Sequence, residues 1–529
     1  MATGPALDSL QHFHPATRDW FHPGFAASTP VQDQAGASIA AGQHTLVVAP
    51  TGSGKTLAAF LHAIDQVFAE RDGDARRDPA ARPVARTRVL YLSPIKALGS
   101  DVQRNLQVPL QGISARRNER GDPAVALTVA MRTGDTSSSE RARLVRRPPD
   151  ILITTPESLY LMLTSQAREI LRDVHTVILD EIHAVAGGKR GSHLALSLER
   201  LDALLQVPAQ RIGLSATVRP VEGVAAFLGG DRPVQVVQPP SQRQLQLKIV
   251  VPVEDMTDLA MHGPAEGRGA GTRAGSIWPH VEASILDNVM RHRSTIVFAN
   301  SRGVAERLTA RLNELHAELA DAGHASDTDD ADATAYGSFT GSTVNRVTAP
   351  ESVIARSHHG SVSKEQRAAI EQALKSGELR CVVATSSLEL GIDMGLVDLV
   401  IQVAAPPSVS SALQRVGRAG HQVGGMSRGL LYPRTRRDLV DAAVVVDSML
   451  DGRIEAIEPP RNPLDVLAQQ TVAAVAMEPL DVEAWFARVC RAAPYRTLPR
   501  SAFDAVLDML AGRYPSDEFA GFRPRLVWD

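Results

Sequence analysis

Cysteine is almost missing from these 529 residues: Cys381 and Cys490 stand far apart, one in an apolar run and one on a helix-like stretch. That excludes a disulfide framework and a cysteine-rich metal site, and it fits a reducing cytoplasm. No apolar run is long enough for a membrane-spanning helix. The first residues lack a basic-then-apolar signal pattern, so secretion is not expected either. Excess charge of one sign is also missing, since 56 Lys and Arg against 59 Asp and Glu leave −3. A nucleic-acid site would have to be a local groove, not a global basic field. What is present, 44% hydrophobic and 22% charged residues, is a globular composition, and the length implies more than one core.

The chain is organised around Ala49-Pro50-Thr51-Gly52-Ser53-Gly54-Lys55-Thr56. An apolar run, Leu46-Val47-Val48, precedes it, and Leu57, Phe60, Leu61 and Ile64 follow at helical spacing. In a strand–turn–helix of this kind the turn's N–H groups cradle a di- or triphosphate. The Lys reaches the outer phosphates, and the Thr hydroxyl holds Mg²⁺. Ala49 stands where the general pattern has its first glycine. Upstream, Thr29-Pro30-Val31-Gln32 leads into an expected helix from Gln34 to Ala41. The Gln32 amide could offer a donor and an acceptor to an adenine edge, or could simply start a helix.

After a polar loop expected over Arg71 to Arg88, apolar strands alternate with helices. The strands end in Ser93-Pro94-Ile95-Lys96, Arg132-Thr133-Gly134-Asp135, Thr154-Thr155-Pro156-Glu157, Asp180-Glu181-Ile182-His183 and Ser215-Ala216-Thr217. Such an alternation predicts a parallel sheet covered on both faces, with its chemistry at the carboxyl ends of the strands. A linker around Asp231 to Gln246 introduces a second series, ending in Ala299-Asn300-Ser301-Arg302, Thr385 to Asp393 and Gln414 to His421. Two stretches, His262 to Ser276 and Ala320 to Pro350, have the composition of solvated insertions. From about Arg437 the pattern turns to helices, expected at Asp438–Leu450, Pro463–Met477, Val482–Ala492 and Ser501–Ala511, with a possible last strand at Arg525–Trp528. A winged helix and a plain helical bundle both suit that region. The basic knot Arg434, Arg436 and Arg437 suits a linker or a phosphate contact.

Asp180 can hold Mg²⁺ beside Thr56, and Glu181 can orient and deprotonate the water that attacks a γ-phosphate. Arg415 and Arg418 are three apart in the second half, a spacing that would let them share one helix face, where they could stabilise charge in a phosphoryl-transfer step. The nucleotide would then sit between halves, closure following binding and opening following hydrolysis.

The ordered set from Gln32 through Ala49–Thr56, Ser93–Ser100, Thr154–Glu157, Asp180–His183, Ser215–Thr217, Thr295–Arg302, Thr385–Asp393 and Gln414–His421 resembles a superfamily 2 helicase core. More narrowly, Asp180-Glu181-Ile182-His183-Ala184-Val185 running into Gly188-Lys189-Arg190-Gly191-Ser192-His193 resembles the Lhr (large helicase-related) group. So do Val416-Gly417-Arg418-Ala419-Gly420-His421 and Pro433 to Asp438. The resemblance implies two tandem RecA-like parallel-sheet domains, 1–235 and 236–436, and a winged-helix-like domain, 437–529. It implies a cytoplasmic ATP-dependent translocase that runs 3′ to 5′ on single-stranded DNA, unwinds DNA or RNA:DNA duplexes, and is linked to DNA repair.

Carried over by motif, Thr51, Gly52, Ser53, Gly54, Lys55 and Thr56 would bind phosphates, with Thr56 and Asp180 on Mg²⁺ and Glu181 on the attacking water. Gln32 would read adenine, Asp393 would help hold ATP, and Ser215 and Thr217 would couple hydrolysis to strand movement. Arg415 and Arg418 are both candidate fingers; His421, where the wider superfamily usually has Arg, leaves open which is the main one. The strand groove would take Pro94, Lys96, Thr133, Asp135, Thr155 and Glu157 from the first half. From the second it would take Asn300, Arg302, His358, His359, Gly360 and Thr385, in contacts blind to base sequence. Family members continue past the winged helix, so a fragment or truncated form is expected. Two alternatives stay open: an ATP-gated clamp or translocase that does not unwind, and an RNA helicase.

Overall fold

The computed structural model describes residues 9–25, 27–50, 52–77, 85–240, 244–257, 276–325, 353–391, 394–420, 425–513 and 523–529. Its contacts divide the chain into two compact units, residues 1–241 with 456–529, and residues 242–455. Of the expected insertions His262 to Ser276 and Ala320 to Pro350, residues 262–275 and 326–350 fall outside the described residues, while 320–325 belong to helix Arg302–Ala325 and so do not start an insertion.

The first unit holds β1 (Thr45–Val48), β2 (Val89–Leu92), β3 (Val129–Arg132), β4 (Ile151–Thr154), β5 (Thr176–Leu179), β6 (Gln210–Ser215) and β7 (Gln235–Val237). They pair, all parallel, in the order β3-β4-β2-β5-β6-β1-β7. Alternate residues of each strand feed opposite faces. Leu46, Val48, Leu90, Leu92, Leu152, Val177 and Leu179 join one core, while Val47, Val89, Tyr91, Ile151, Ile153 and Ile178 join the other. β7 falls inside the stretch expected as a linker, because its pairing with β1 completes the sheet.

The expected polar loop at Arg71 to Arg88 needs correction, since the helix that begins at Lys55 runs on to Arg77. Its polar residues are tolerated because they are paired. Arg71 Nε and Arg88 Nη1 donate to Asp150 Oδ1 at 2.9 and 3.1 Å, and the Asp150 side chain is fully buried.

The second unit contains β8 (Gln244–Ile249), β9 (Thr295–Ala299), β10 (Ala355–His358), β11 (Cys381–Ala384), β12 (Leu399–Val403) and β13 (Met426–Tyr432). This sheet is also parallel, in the order β10-β11-β9-β12-β13-β8. Helix Arg436–Leu450 packs against β8 and helix Val409–Val416, so by contact it belongs to this unit.

Helices Leu464–Val475, Val482–Arg491 and Arg500–Leu510 pack on the first unit instead. Leu467, Trp485, Val489, Tyr495 and Phe503 extend the core on the face that holds Leu46 and Leu90. A polar seam fixes the register. Buried Gln470 accepts from Arg200 Nη1 at 2.8 Å and donates to the His193 carbonyl and Ser197 Oγ, both at 3.0 Å. Residues 523–529 carry no strand, so Arg525–Trp528 is not one here. Among the described residues, no helix is long and apolar enough to cross a membrane.

Candidate nucleotide and nucleic-acid sites

β1 ends in the phosphate-loop sequence. Gly52 and Gly54 each sit at φ +84°, and the helix starts at Lys55. A Cβ on Gly54 would lie 2.5 Å from Gln32 Nε2, so glycine lets Gln32 close over the loop. Gln32 sits in the first turn of helix Pro30–Ala40, longer at its start than expected. Its Oε1 accepts the Thr29 N–H at 2.9 Å while its own N–H reaches Thr29 Oγ1 at 3.3 Å, a reciprocal cap. The Thr29 hydroxyl also donates to the Ser53 carbonyl at 2.9 Å, tying this helix start to the loop. The helix-start reading of Gln32 is therefore realised, with its amide nitrogen held against the loop. Ser53 Oγ is buried with no hydrogen-bond partner among the described residues, the orphaned polar atom expected of a phosphate cradle. Thr51 lies outside the described residues.

Asp180 and Glu181 follow β5, two strands from β1. The Tyr91 hydroxyl, from neighbouring β2, donates to Asp180 Oδ2, and the Glu181 N–H donates to Oδ1 at 2.9 Å. Lys55 Nζ lies 3.9 Å from Glu181 Oε1, and all of these side chains are buried. Burial first, and then the charge of Glu181, push the Asp180 carboxyl up to about 6; Lys55 and Tyr91 pull the other way. Burial and the Asp180 charge likewise raise the Tyr91 phenol well above its ordinary value. A hard cation between Thr56 and Asp180 would relieve that repulsion, so the oxygen donors present fit Mg²⁺. Glu181 has φ +43°, a conformation that costs a non-glycine residue about 1–3 kcal/mol.

His183 links this pair to β6. Its Nδ1 lies 3.2 Å from Ser215 Oγ, 3.4 Å from the Ala216 N–H and 3.5 Å from Glu181 Oε2. Thr217 is exposed just beyond.

The other expected site residues of this unit follow β2, β3 and β4, three adjacent strands at one side of the sheet. Lys96 Nζ meets Asp135 Oδ1 at 2.5 Å, with both side chains exposed. Thr133 Oγ1 accepts the Asp135 N–H at 3.3 Å. Thr155 caps helix Pro156–Leu163, and Glu157 sits in its first turn. Arg190 donates to both Glu157 oxygens and to the Pro94 carbonyl.

In the second unit, Asn300 and Arg302 follow β9, His358 ends β10, and Thr385 follows β11, again three adjacent strands. The rings of both histidines are engaged within the unit. His358 bridges Ser387 Oγ at 2.8 Å and Glu371 Oε1 at 3.1 Å, and His359 bonds Glu306. Arg302 Nη1 donates to Ser361 Oγ at 2.8 Å. Arg415 is buried and held by Glu389 Oε2 at 3.1 Å, Asn300 Oδ1 at 3.0 Å and Gln402 Oε1 at 2.9 Å. Arg418, also buried, donates to the Glu389 carbonyl at 2.8 Å. Asp393 and His421 lie outside the described residues.

Tyr91, His183, Arg190, Glu389 and Gln402 had no assigned role. Tyr91 looked like one more apolar strand residue, and only its register opposite Ile178 brings its hydroxyl to the strand end. The carboxylate partners of the arginines left no local signal, because they come from other loops.

A phosphate loop, an acid pair at a strand end two strands away and a second parallel sheet with buried arginines define the nucleic-acid helicases of the DEAD/DEAH class. Residues 29–224 match the DEAD/DEAH box helicase family and residues 338–422 the helicase conserved C-terminal domain. Residues 447–529 match the winged helix domain of large helicase-related protein. The chain is 64% identical over its whole length to the Lhr helicase/uracil glycosylase of Escherichia coli (strain K12), covering 34% of it. It is 37% identical over 97% of its length to the ATP-dependent helicase Lhr-Core of Methanothermobacter thermautotrophicus, covering 54% of that protein. The structure of Mycobacterium smegmatis helicase Lhr bound to ssDNA and AMP-PNP superposes with TM-score 0.80 at 55% identity. That match covers 96% of this chain and 58% of that one. The chain belongs to the Lhr family of ATP-dependent helicases, and it spans only about a third to a half of the curated relatives just named.

Proposed function

We propose that the chain is the motor of an ATP-dependent translocase that moves 3′ to 5′ on single-stranded DNA and unwinds DNA or RNA:DNA duplexes, in cytoplasmic DNA repair. The observation that carries this reading is a division of labour along one sheet. The phosphate loop, the acid pair and Ser215 follow β1, β5 and β6, while Pro94, Lys96, Thr133, Asp135, Thr155 and Glu157 follow β2, β3 and β4. A single strand and an ATP analogue are bound together by the M. smegmatis relative.

In this mechanism Lys55 holds the outer phosphates and Glu181 takes a proton from the attacking water. Thr56 and Asp180 would hold Mg²⁺, which would offset negative charge on the phosphates. Gln32 closes over the base side, and Asp393, Arg415 and Arg418 are the second domain's candidate nucleotide-binding residues. Arg415, held by Glu389, Asn300 and Gln402, and Arg418, held by the Glu389 carbonyl, are both candidate fingers. His183 carries a shift of Glu181 to Ser215, and through it to Thr217. Asn300, Arg302, His358, His359 and Thr385 are the second domain's candidate strand-binding residues.

The test is phosphate release with and without single-stranded DNA, beside displacement of DNA:DNA, RNA:DNA and RNA:RNA duplexes tailed on either end. Strand-stimulated hydrolysis with displacement of 3′-tailed DNA or RNA:DNA duplexes is expected. Stimulation without displacement would reduce the chain to a translocase or clamp, and preference for RNA:RNA would make it an RNA helicase.

A further inference from the structure

Arg190 lies outside every motif given a role above, yet it makes three side-chain hydrogen bonds to the loops that follow β2 and β4. Its Nε donates to Glu157 Oε1 at 2.5 Å, and its Nη2 donates to Glu157 Oε2 at 3.1 Å and to the Pro94 carbonyl at 2.6 Å. Proline has no N–H, so the carbonyl is the only backbone handle that Pro94 offers. Glu157 lies in the first turn of helix Pro156–Leu163, after β4, and Pro94 follows β2, the next strand in the sheet. One guanidinium therefore pins two neighbouring strand-end loops to each other. The planar fork of arginine grips both carboxylate oxygens and reaches a third acceptor in one fixed geometry, which the point-like ammonium of lysine does not hold.

The backbone that presents Arg190 is tightly constrained. Helix Lys189–Leu204 begins at Gly188, and a Cβ on Gly191 would lie 2.3 Å from the Val185 carbonyl oxygen. Glycine at 191 lets this turn fold close against the segment that follows Asp180 and Glu181. The same helix then runs back to the C-terminal helices. Lys189 pairs with Asp465 at 2.7 Å, Tyr160 packs edge-on against His193, and Arg200 donates to Gln470 and to the Leu163 carbonyl. Both ends of helix Pro156–Leu163 are thus tied to one neighbouring helix, by Arg190 at its start and Arg200 at its finish.

We propose that Arg190 is a positioning residue for strand binding: it sets the spacing of the Pro94 and Glu157 loops and does not itself contact the nucleic acid. This rests on the reading above that these loops bind a single strand. A positioning role and a direct phosphate contact make opposite predictions. A lost phosphate contact lowers the salt dependence of strand affinity by about one unit in the log–log slope, and lysine restores it. Lost spacing weakens affinity at an unchanged slope, and lysine, without the fork, does not restore it.

The experiment measures ATP hydrolysis by the whole chain against an oligo(dT) single strand, at several salt concentrations, for the unmodified chain, R190A, R190K and K189A. Arg190 is partly exposed, and melting curves check that the variants fold. For R190A and R190K we expect the strand concentration at half-maximal stimulation to rise about three- to tenfold. Their rate at saturating strand and their salt slope should match the unmodified chain, and K189A, the neighbouring cation, should behave as the unmodified chain does. Unchanged half-saturation in R190A, or a lowered slope repaired in R190K, overturns the positioning role. Absence of strand stimulation in the unmodified chain overturns the strand-binding reading and this proposal with it.

Discussion

The two sides of the first sheet use charge in opposite ways. Around β1, β5 and β6, Lys55, Asp180 and Glu181 are all buried, and two acids compete within hydrogen-bonding distance of Tyr91 and His183. Around β2, β3 and β4 the charges stand in solvent, as the Lys96–Asp135 and Arg190–Glu157 pairs do. In Glu157, hydrogen bonding to Arg190 and the helix start outweigh the opposing effect of burial and hold the carboxyl below its ordinary value. The first arrangement stores electrostatic tension that a bound cation can release; the second stores none. A site for a small charged ligand needs fixed, water-poor groups, while a moving polymer needs contacts that form and break readily.

The largest effect expected from breaking this contrast is at Glu181. Glu181→Gln should lower hydrolysis by about 10²–10⁴-fold while leaving nucleotide binding near normal. Phosphate release beside titration with a fluorescent ATP analogue measures both. An undiminished rate would put the base elsewhere.

The next effect is on stability. The Asp180 carboxyl is raised in the folded chain, so its neutral form favours folding. That contribution is present below about pH 4 and fades as pH rises through about 6. Ionised Asp180 should then lower the stability of the nucleotide-free chain near pH 7. Asp180→Asn should therefore raise the melting temperature at pH 7 by several degrees while removing hydrolysis, with the stability gain vanishing toward pH 4. An Asn variant less stable than the parent at pH 7 would show that the acid pair is not under tension.

The smallest effect belongs to the exposed side. Lys96→Ala should change stability by less than about 1 kcal/mol, because both partners of that pair are largely in solvent. It should weaken single-strand binding and lower the salt slope by about one unit. A large loss of stability would mean that the two sides do not differ as described.

Much of this was legible in the sequence because it is local. A buried strand, a glycine turn and an amphipathic helix sit within twenty residues around Lys55. Each strand-end motif announces its place by following an apolar run. The helix through Arg71 was missed because its arginines look like loop residues until Asp150 is placed beside them, about eighty positions on. The affiliation of the C-terminal helices was equally hidden: Gln470 is an unremarkable polar residue until it meets Arg200, His193 and Ser197.

By itself the sequence determined the two parallel-sheet domains, the order of the motifs and the chemistry available to each, since periodicity and short-range spacing are properties of neighbouring residues. Strand order was decided only by the tertiary structure. It set the phosphate loop two strands from Asp180, brought Tyr91 to that carboxylate and let Arg190 grip two loops at once. These contacts join residues from about thirty to ninety-six positions apart, and side-chain pairing over such distances leaves no trace in local pattern.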